Sequence, residues 1–420
     1  MKTKTLSNGL VILYEKNKVS HKDAFHINIL TGSALEGPKE KGINHLVEHL
    51  MFKASHKRTT KQISEELEQN GAIINAWTNY DNVCFHFECM PDKLDKCAEI
   101  YADMLLNKNI SKEEFDKEKS VVCQEIAMYE DDFEATNETN YFREFLKMDD
   151  VAGSVKSVKK ITLDQVNKFI AARYVPGNMV ISVCSHLSFS KIVKIVEKYF
   201  GAKYEYTKEH LNLRNTWYTK RNEMFHYDMT DKRGTYKQKK DTAQVQVLHA
   251  YYLQDITTAP QVLELFEKVL SGGLSAVLFR EIREKYGVCY SIEAASMQMY
   301  PSEFNDKLPP VMFIKSSTEK KHLKKHLEAI NKVITDLETI ITDTDIERAI
   351  NISNTLGLKS RNIAQDNFFA YCNPKIYHNQ ISGTMTKLDK DIKQNAKTII
   401  KALTISLAKA DCDIAILGNI

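Results

Sequence analysis

The residues most able to do chemistry lie near the N-terminus, in the stretch GINHLVEHLMFK (42–53), where His45, Glu48 and His49 recur at helical spacing. On a helix these three side chains share one face, while Ile43, Leu46, Val47 and Leu50 form an apolar stripe on the other. Imidazoles four residues apart project from adjacent turns and can both meet one metal ion. A carboxylate between them can hold or deprotonate a water on that ion. The alternative is a solvated face with two ordinary histidines, and Phe52 on the same side argues against it. A metal centre that acts on water also needs a third protein donor and an open position. The eight cysteines are scattered without a C-x-x-C pair, so a carboxylate is the better source. The helix expected from Ser111 onward offers Glu118 and Glu125, seven residues apart and on one side, bordering Phe115, Val122, Ile126 and Tyr129. Partly buried carboxylates need a cation or hydrogen bonds to compensate them. By spacing alone, a solvated charged face accounts for them equally well.

Regular elements must hold these residues. Strands are expected at Leu10–Glu15 and Phe25–Leu30, then helices at 42–54 and 60–70, the second stopped by Gly71. Val83, Phe85, Phe87 and Cys89 alternate as a strand, and a helix follows through 91–107. Ser111 with Glu114 and Thr162 with Gln165 are capping boxes that start two more helices. NMVISVCS reads as a buried strand, and the next helix ends at Gly201. A similar order of elements recurs from AQVQVLHAYYL (243–253) onward, which points to an internal repeat. In that repeat Ser111 matches Thr342 and Phe115 matches Ile346, while Glu118 and Glu125 fall opposite Ala349 and Leu356. HLVEH falls opposite SAVLF, so the second half keeps the architecture without the polar trio. The expected domains are 1–206 with the candidate site, a charged linker at 207–234, and 235–420 as a degenerate copy.

Composition narrows the function classes. A chain of 420 residues suits two domains, and 58 basic against 55 acidic side chains leave a net charge of +3 with no concentrated basic stripe. Nucleic acid is therefore not an expected partner. No apolar run reaches the roughly 20 residues of a membrane span, and none at the N-terminus suits an export signal. With dispersed cysteines this leads to an expectation of a cytoplasmic protein with reduced thiols.

H-x-x-E-H is the inverzincin zinc motif. With Glu125 placed 76 residues after His49, and Glu118 seven residues before Glu125, the chain resembles the pitrilysin/insulinase family of zinc metallopeptidases. It is most similar to the half-length members related to mitochondrial processing peptidase and its bacterial relatives. The resemblance extends through TLSNGL, GAIINAWT, EKSVVCQEIAMYEDD, YVPGNMVISV and GGLSAVLFREIREKYGVCYS. It implies that His45, His49 and Glu125 ligate one zinc ion per chain. It further implies that Glu48 is the general base, taking a proton from a metal-activated water that attacks a peptide carbonyl. Glu118 would orient a histidine ligand or its surroundings. Arg283 and Tyr290 in REKYGVCY have the spacing of the family's Arg/Tyr pair, which contacts substrate and stabilises the tetrahedral intermediate. Without the resemblance they read as a solvated charge and a half-buried strand residue. GAIINAWT resembles the substrate-binding edge strand and places Asn75 and Ala76 beside the scissile bond.

The implied fold is α+β, with two structurally repeated domains, each a mixed β-sheet packed with α-helices, pairing as a clamshell dimer. Because one chain carries both motifs, a homodimer with two composite sites is expected, with a heterodimer of paralogues as the alternative. The implied activity is a zinc-dependent endopeptidase or oligopeptidase acting on extended or unfolded peptides. A dedicated maturation peptidase for one precursor and a non-catalytic scaffold are the rival readings. NYFREFLKMDDVAGSVKS, VCSHLS and FKAS depart from the family pattern without touching a ligand or the base.

Overall fold

The computed structural model describes residues 1–201, 207–224, 233–253, 260–297, 309–356, 360–372 and 390–420. They form two compact units. The first unit contains a sheet of β1 (Lys2–Thr5), β2 (Val11–Lys16), β3 (Asp23–Ile29), β4 (Ile73–Thr78), β5 (Val83–Cys89) and β6 (Met179–Ser185). Their order is β1-β2-β6-β3-β5-β4, with β2 and β6 parallel and the other pairs antiparallel. Phe25, Ile27 and Ile29 pair in register with Phe87, Phe85 and Val83. This is the apolar face read from the alternation, and it joins one core with the helices Ile43–Met51, Leu94–Leu106 and Phe189–Phe200.

The polar-looking positions between them are also buried: every residue of β3, β5 and β6 is covered. A second helical layer lies over that face, where Ser182 Oγ donates to the Ala364 carbonyl at 2.6 Å. Val11, Leu13 and Val180 pack there with Trp217, Phe368 and Cys372.

The second unit has β7 (Thr235–Lys239), β8 (Val245–Tyr252), β9 (Ile292–Met297), β10 (Val311–Thr318) and β11 (Asp411–Gly418) in the order β7-β11-β8-β10-β9. Again one pair, β7 with β11, is parallel and the rest are antiparallel. This is the order and direction of β2-β6-β3-β5-β4, so the fold is α+β with two repeated sheet-and-helix units. The repeat also corrects one alignment. The first helix after β3 is Ile43–Met51, and its counterpart after β8 is Pro260–Ser271, not SAVLF. The π-helical stretch Phe279–Tyr286 takes the place of the helix Thr60–Gln69, each followed by a left-handed glycine, Gly287 and Gly71. Pro260–Ser271 carries no histidine, so with no polar trio to guide the alignment, sequence similarity alone misplaced it.

The compact units do not follow the boundaries expected at 206 and 235. The first unit takes in 149–224 and 358–384, and the second takes in 129–148. Part of the expected linker is the helix Lys208–Met224, whose Trp217 indole donates to the Asp81 carbonyl at 2.5 Å and whose Arg214 donates to the Gly9 carbonyl at 3.1 Å; residues 225–232 of that linker lie outside the described residues. The helix Phe133–Phe145 belongs to the second unit, where Asn137 Nδ2 donates to the Ala415 carbonyl at 3.0 Å and Tyr141 meets Tyr252 at 2.8 Å. The helix Ser360–Cys372 belongs to the first. Among the described residues, each of these two helices thus belongs to the unit built mainly by the other half of the sequence.

Candidate metal centre

Ile43–Met51 carries two of the candidate ligands and is called the ligand helix. Its apolar stripe, Ile43, Leu46, Val47 and Leu50, is wholly buried. Its chain entry is fixed by Gly42 at φ 90°, where a Cβ would lie 2.5 Å from the Ala152 carbonyl oxygen. On the opposite face, the rings of His45 and His49 stand 4.8 Å apart. Glu125 reaches them from the glutamate helix Lys112–Asp131, which starts at the expected Ser111–Glu114 capping box. Its carboxylate oxygens lie 3.7 Å from His45 Nε2 and 3.1 Å from His49 Nε2. The three donor atoms fall within 4.8 Å of one another, the one such cluster among the described residues. Metal–donor bonds of about 2.1 Å put neighbouring tetrahedral donors roughly 3.4 Å apart, so the two nitrogens and one oxygen fit a single ion and leave a fourth position open.

Protonation states suit that use. Burial, followed by the neighbouring His49, holds His45 down at about 4, which keeps its imidazole in the neutral, ligating form. Burial also pushes the Glu48 carboxyl up to about 7. The charge of Glu125 adds to that rise, while a hydrogen bond from Thr78 opposes it. Glu48 is 9% exposed, so the face bearing it is not a solvated one.

The other expected site residues fall as follows. Glu118 meets Lys53 at 2.8 Å rather than a histidine. Its second oxygen and His45 Nδ1 are both buried without a hydrogen-bond partner among the described residues. Lys53 leaves the C-terminal end of the ligand helix, so this ion pair ties that helix to the one carrying Glu125. Asn75 and Ala76 lie on β4, the edge strand, with Ala76 N–H donating to Asn75 Oδ1 at 2.9 Å. Arg283 and Tyr290 come together in the second unit, the guanidinium 4.8 Å from the Tyr290 ring and 4.5 Å from that of Phe279. Tyr290 precedes β9 instead of lying on it, and it is 71% exposed.

Sequence reasoning missed Thr78, whose hydroxyl donates to Glu48 Oε2 at 2.5 Å. It also missed Lys53. Neither residue type stands out at its position. Only the packing of the ligand helix against β4, and of its C-terminal end against the glutamate helix, gives them a role.

The fold defines a two-unit α+β protein whose described residues hold one two-histidine, one-glutamate cluster that could bind a metal ion. Residues 11–157 match the insulinase family, peptidase family M16, and residues 160–353 match the M16 inactive domain. The chain belongs to peptidase family M16. A relative from Rickettsia felis, named an uncharacterized zinc protease, is 26% identical over 414 residues, spanning 96% of this chain and 95% of its own length. One of the same description from Bacillus subtilis is 27% identical over 373 residues, spanning 86% and 85%. Among solved structures, a protease from Helicobacter pylori superposes with a TM-score of 0.74 at 18% identity, over 99% of this chain and 98% of that one. An M16 inactive-domain protein from Pseudomonas fluorescens gives 0.77 at 14% identity, over 100% and 98%. At those identities the two structures speak to the fold alone. No helix among the described residues is long and apolar enough to cross a membrane.

Proposed function

We propose that this protein is a zinc-dependent peptidase that cleaves extended or unfolded peptides, with His45, His49 and Glu125 holding the metal and Glu48 as general base. The observation that carries the reading is the convergence of three donors beside a buried carboxylate whose hydrogen-bond partner, Thr78, sits on an edge strand. Zinc held there supplies a Lewis acid that polarises a peptide carbonyl and lowers the pKa of water. Glu48 takes the proton of the attacking water and returns it to the departing amine. Thr78 occupies one carboxylate oxygen of Glu48 and leaves the other for that proton. The outer edge of β4, the strand that carries Asn75 and Ala76, pairs with no strand among the described residues, so the N–H and C=O groups that alternate residues turn outward can meet an extended backbone once the Ala76 N–H exchanges its bond to Asn75 Oδ1. Recognition through the main chain tolerates varied side chains. Glu118 acts on the site through Lys53.

Arg283, stacked on Tyr290, is assigned to substrate contact and oxyanion stabilisation. The working assembly is a homodimer, with one zinc per chain and the Arg/Tyr pair of each chain serving the other's site. Mixtures of Glu48→Gln and Arg283→Ala chains should regain activity under this arrangement, and silence of every mixture counts against it. The primary test is metal analysis beside a peptide-digestion assay. The wild type should carry zinc and cleave, and Glu48→Gln should carry zinc and not cleave. A metal-free, inert wild type refutes the peptidase reading.

A further inference from the structure

The ligand helix spans only nine residues, too few for its own hydrogen bonds to hold it rigid. Its N-terminal cap is a glycine that supplies no side-chain acceptor. The N–H groups at that end are met instead by a carboxylate from the preceding loop. Buried Glu36, from the loop after β3, accepts from Gly42 N–H at 2.8 Å, from Asn44 N–H at 2.9 Å and from Asn44 Nδ2 at 3.0 Å. Asn44 Nδ2 also donates to the Gly32 carbonyl at 2.9 Å. The neighbouring Ser33 and Ala34 N–H groups bond the Asn79 and Tyr80 carbonyls, immediately beyond Thr78. At the other end Lys108 donates to the carbonyls of Met51 and Lys53, at 2.8 and 2.6 Å. It lies in the short connection leading into the glutamate helix. The strand-like bridge between Ser55 and Lys108, with His56 N–H bonded to the Asn107 carbonyl, secures that connection. In their charged forms a carboxylate at the N-terminus and an ammonium at the C-terminus both match the helix dipole, which opposes the burial that pushes Glu36 up and Lys108 down to about 7. Both groups also fix the helix along its axis, where a slip of one residue would carry the ligands about 1.5 Å. A metal constellation tolerates roughly 0.5 Å.

We infer that Glu36 and Lys108 are positioning residues that clamp the ligand helix at both ends and so preform the His45, His49 and Glu125 site for its metal. The inference rests on the zinc reading of that site. Glu36 fixes the helix against the turn that follows the edge strand, and Lys108 fixes it against the start of the helix that bears Glu125. Neither residue touches the donor atoms.

The test compares zinc affinity, by competition with a chromophoric chelator, in full-length wild type, Glu36→Gln and Lys108→Met. The control is a core variant, Ile195→Ala, whose loss of thermal stability matches theirs. Glu36→Gln puts an amide N–H against backbone donors, and Lys108→Met removes the ammonium while keeping the aliphatic stem. Each should bind zinc roughly 10–100-fold more weakly, and at saturating zinc each should lose kcat with KM for peptide little changed. The core variant should bind zinc as the wild type does. Affinities within about twofold of wild type in both clamp variants, or equal weakening in the core control, overturn the clamp. A wild type that binds no zinc overturns the metal reading instead, so the two failures are distinct. If Glu36→Gln does not fold, Asn44→Ala, which removes one donor to Glu36 and the tie to Gly32, enters the same comparison.

Discussion

Thr78 should control the pH dependence of the reaction. Its hydroxyl lies 2.5 Å from Glu48 Oε2, the short range of bonds to an ionised carboxylate, and it stabilises the charged form. Such bonds are worth about 1.5–3 kcal/mol, and a pKa unit corresponds to about 1.4 kcal/mol. Thr78→Val should therefore raise the Glu48 pKa by about 1–2 units beyond the value near 7 to which burial already pushes it. The base form of Glu48 then appears only at higher pH. The acidic limb of the kcat/KM profile should move upward by about 1–2 units, costing about 10–100-fold at pH values below the limb and little on the plateau. Thr78→Ser should restore the profile, and zinc content should be unchanged throughout. The assay is a pH series with a fluorogenic peptide, under conditions where wild type and variants remain folded. A loss of equal size at every pH, with no movement of the limb, would refute the coupling and leave Thr78 a purely structural residue.

Glu125→Ala leaves two donors and should weaken zinc binding at least about 100-fold with loss of cleavage; zinc affinity near wild type would remove Glu125 from the ligand set. Glu118→Ala strips Lys53 of its partner and should weaken zinc binding about 10-fold or more, an effect absent if the pair merely decorates the helix. Chelation should lower the melting temperature, and added zinc at about 100 times its Kd should restore about 2.7 kcal/mol; a melting temperature indifferent to zinc argues against a native-state site. In the second unit, burial holds His249 at about 3 and His326 at about 4, so both bind protons more readily once unfolded. Their stabilisation is present above about pH 6.5 and is lost as pH falls through the folded values, on the order of 5 kcal/mol for His249 and 3 kcal/mol for His326. His249→Leu should shift the acid-unfolding midpoint, followed by far-ultraviolet circular dichroism, to lower pH, and an unmoved midpoint contradicts this.

The parts legible in the sequence are those set by local geometry. His45, Glu48 and His49 share a face because the helical repeat puts them there, and Phe25, Ile27 and Ile29 share one because strands alternate. The capping boxes at Ser111 and Thr162 mark helix starts through contacts only three residues long. The repeated order of elements needed no long-range information either. The helices Phe133–Phe145 and Ser360–Cys372 show the limit. A periodic pattern says which side of a helix is apolar and not which sheet will cover it, so their exchange between the units was hidden, as was the place of Trp217 in a segment expected to be a linker.

The same division runs through the site. By itself the sequence determined the donor types, the ligand helix and the candidate base, and Glu118 and Glu125 as a pair on one helix side. The tertiary structure decided which of those two glutamates meets the histidines and which meets Lys53. It also decided that Thr78 bonds the candidate base, Glu48, and that Glu36 and Lys108 take the ends of the ligand helix. A hydroxyl, a carboxylate and an ammonium are common on any chain. What gives these four side chains their work is the fold, which sets three of them beside groups 30 to 65 positions away in sequence and brings Glu36 over a helix end within its own loop.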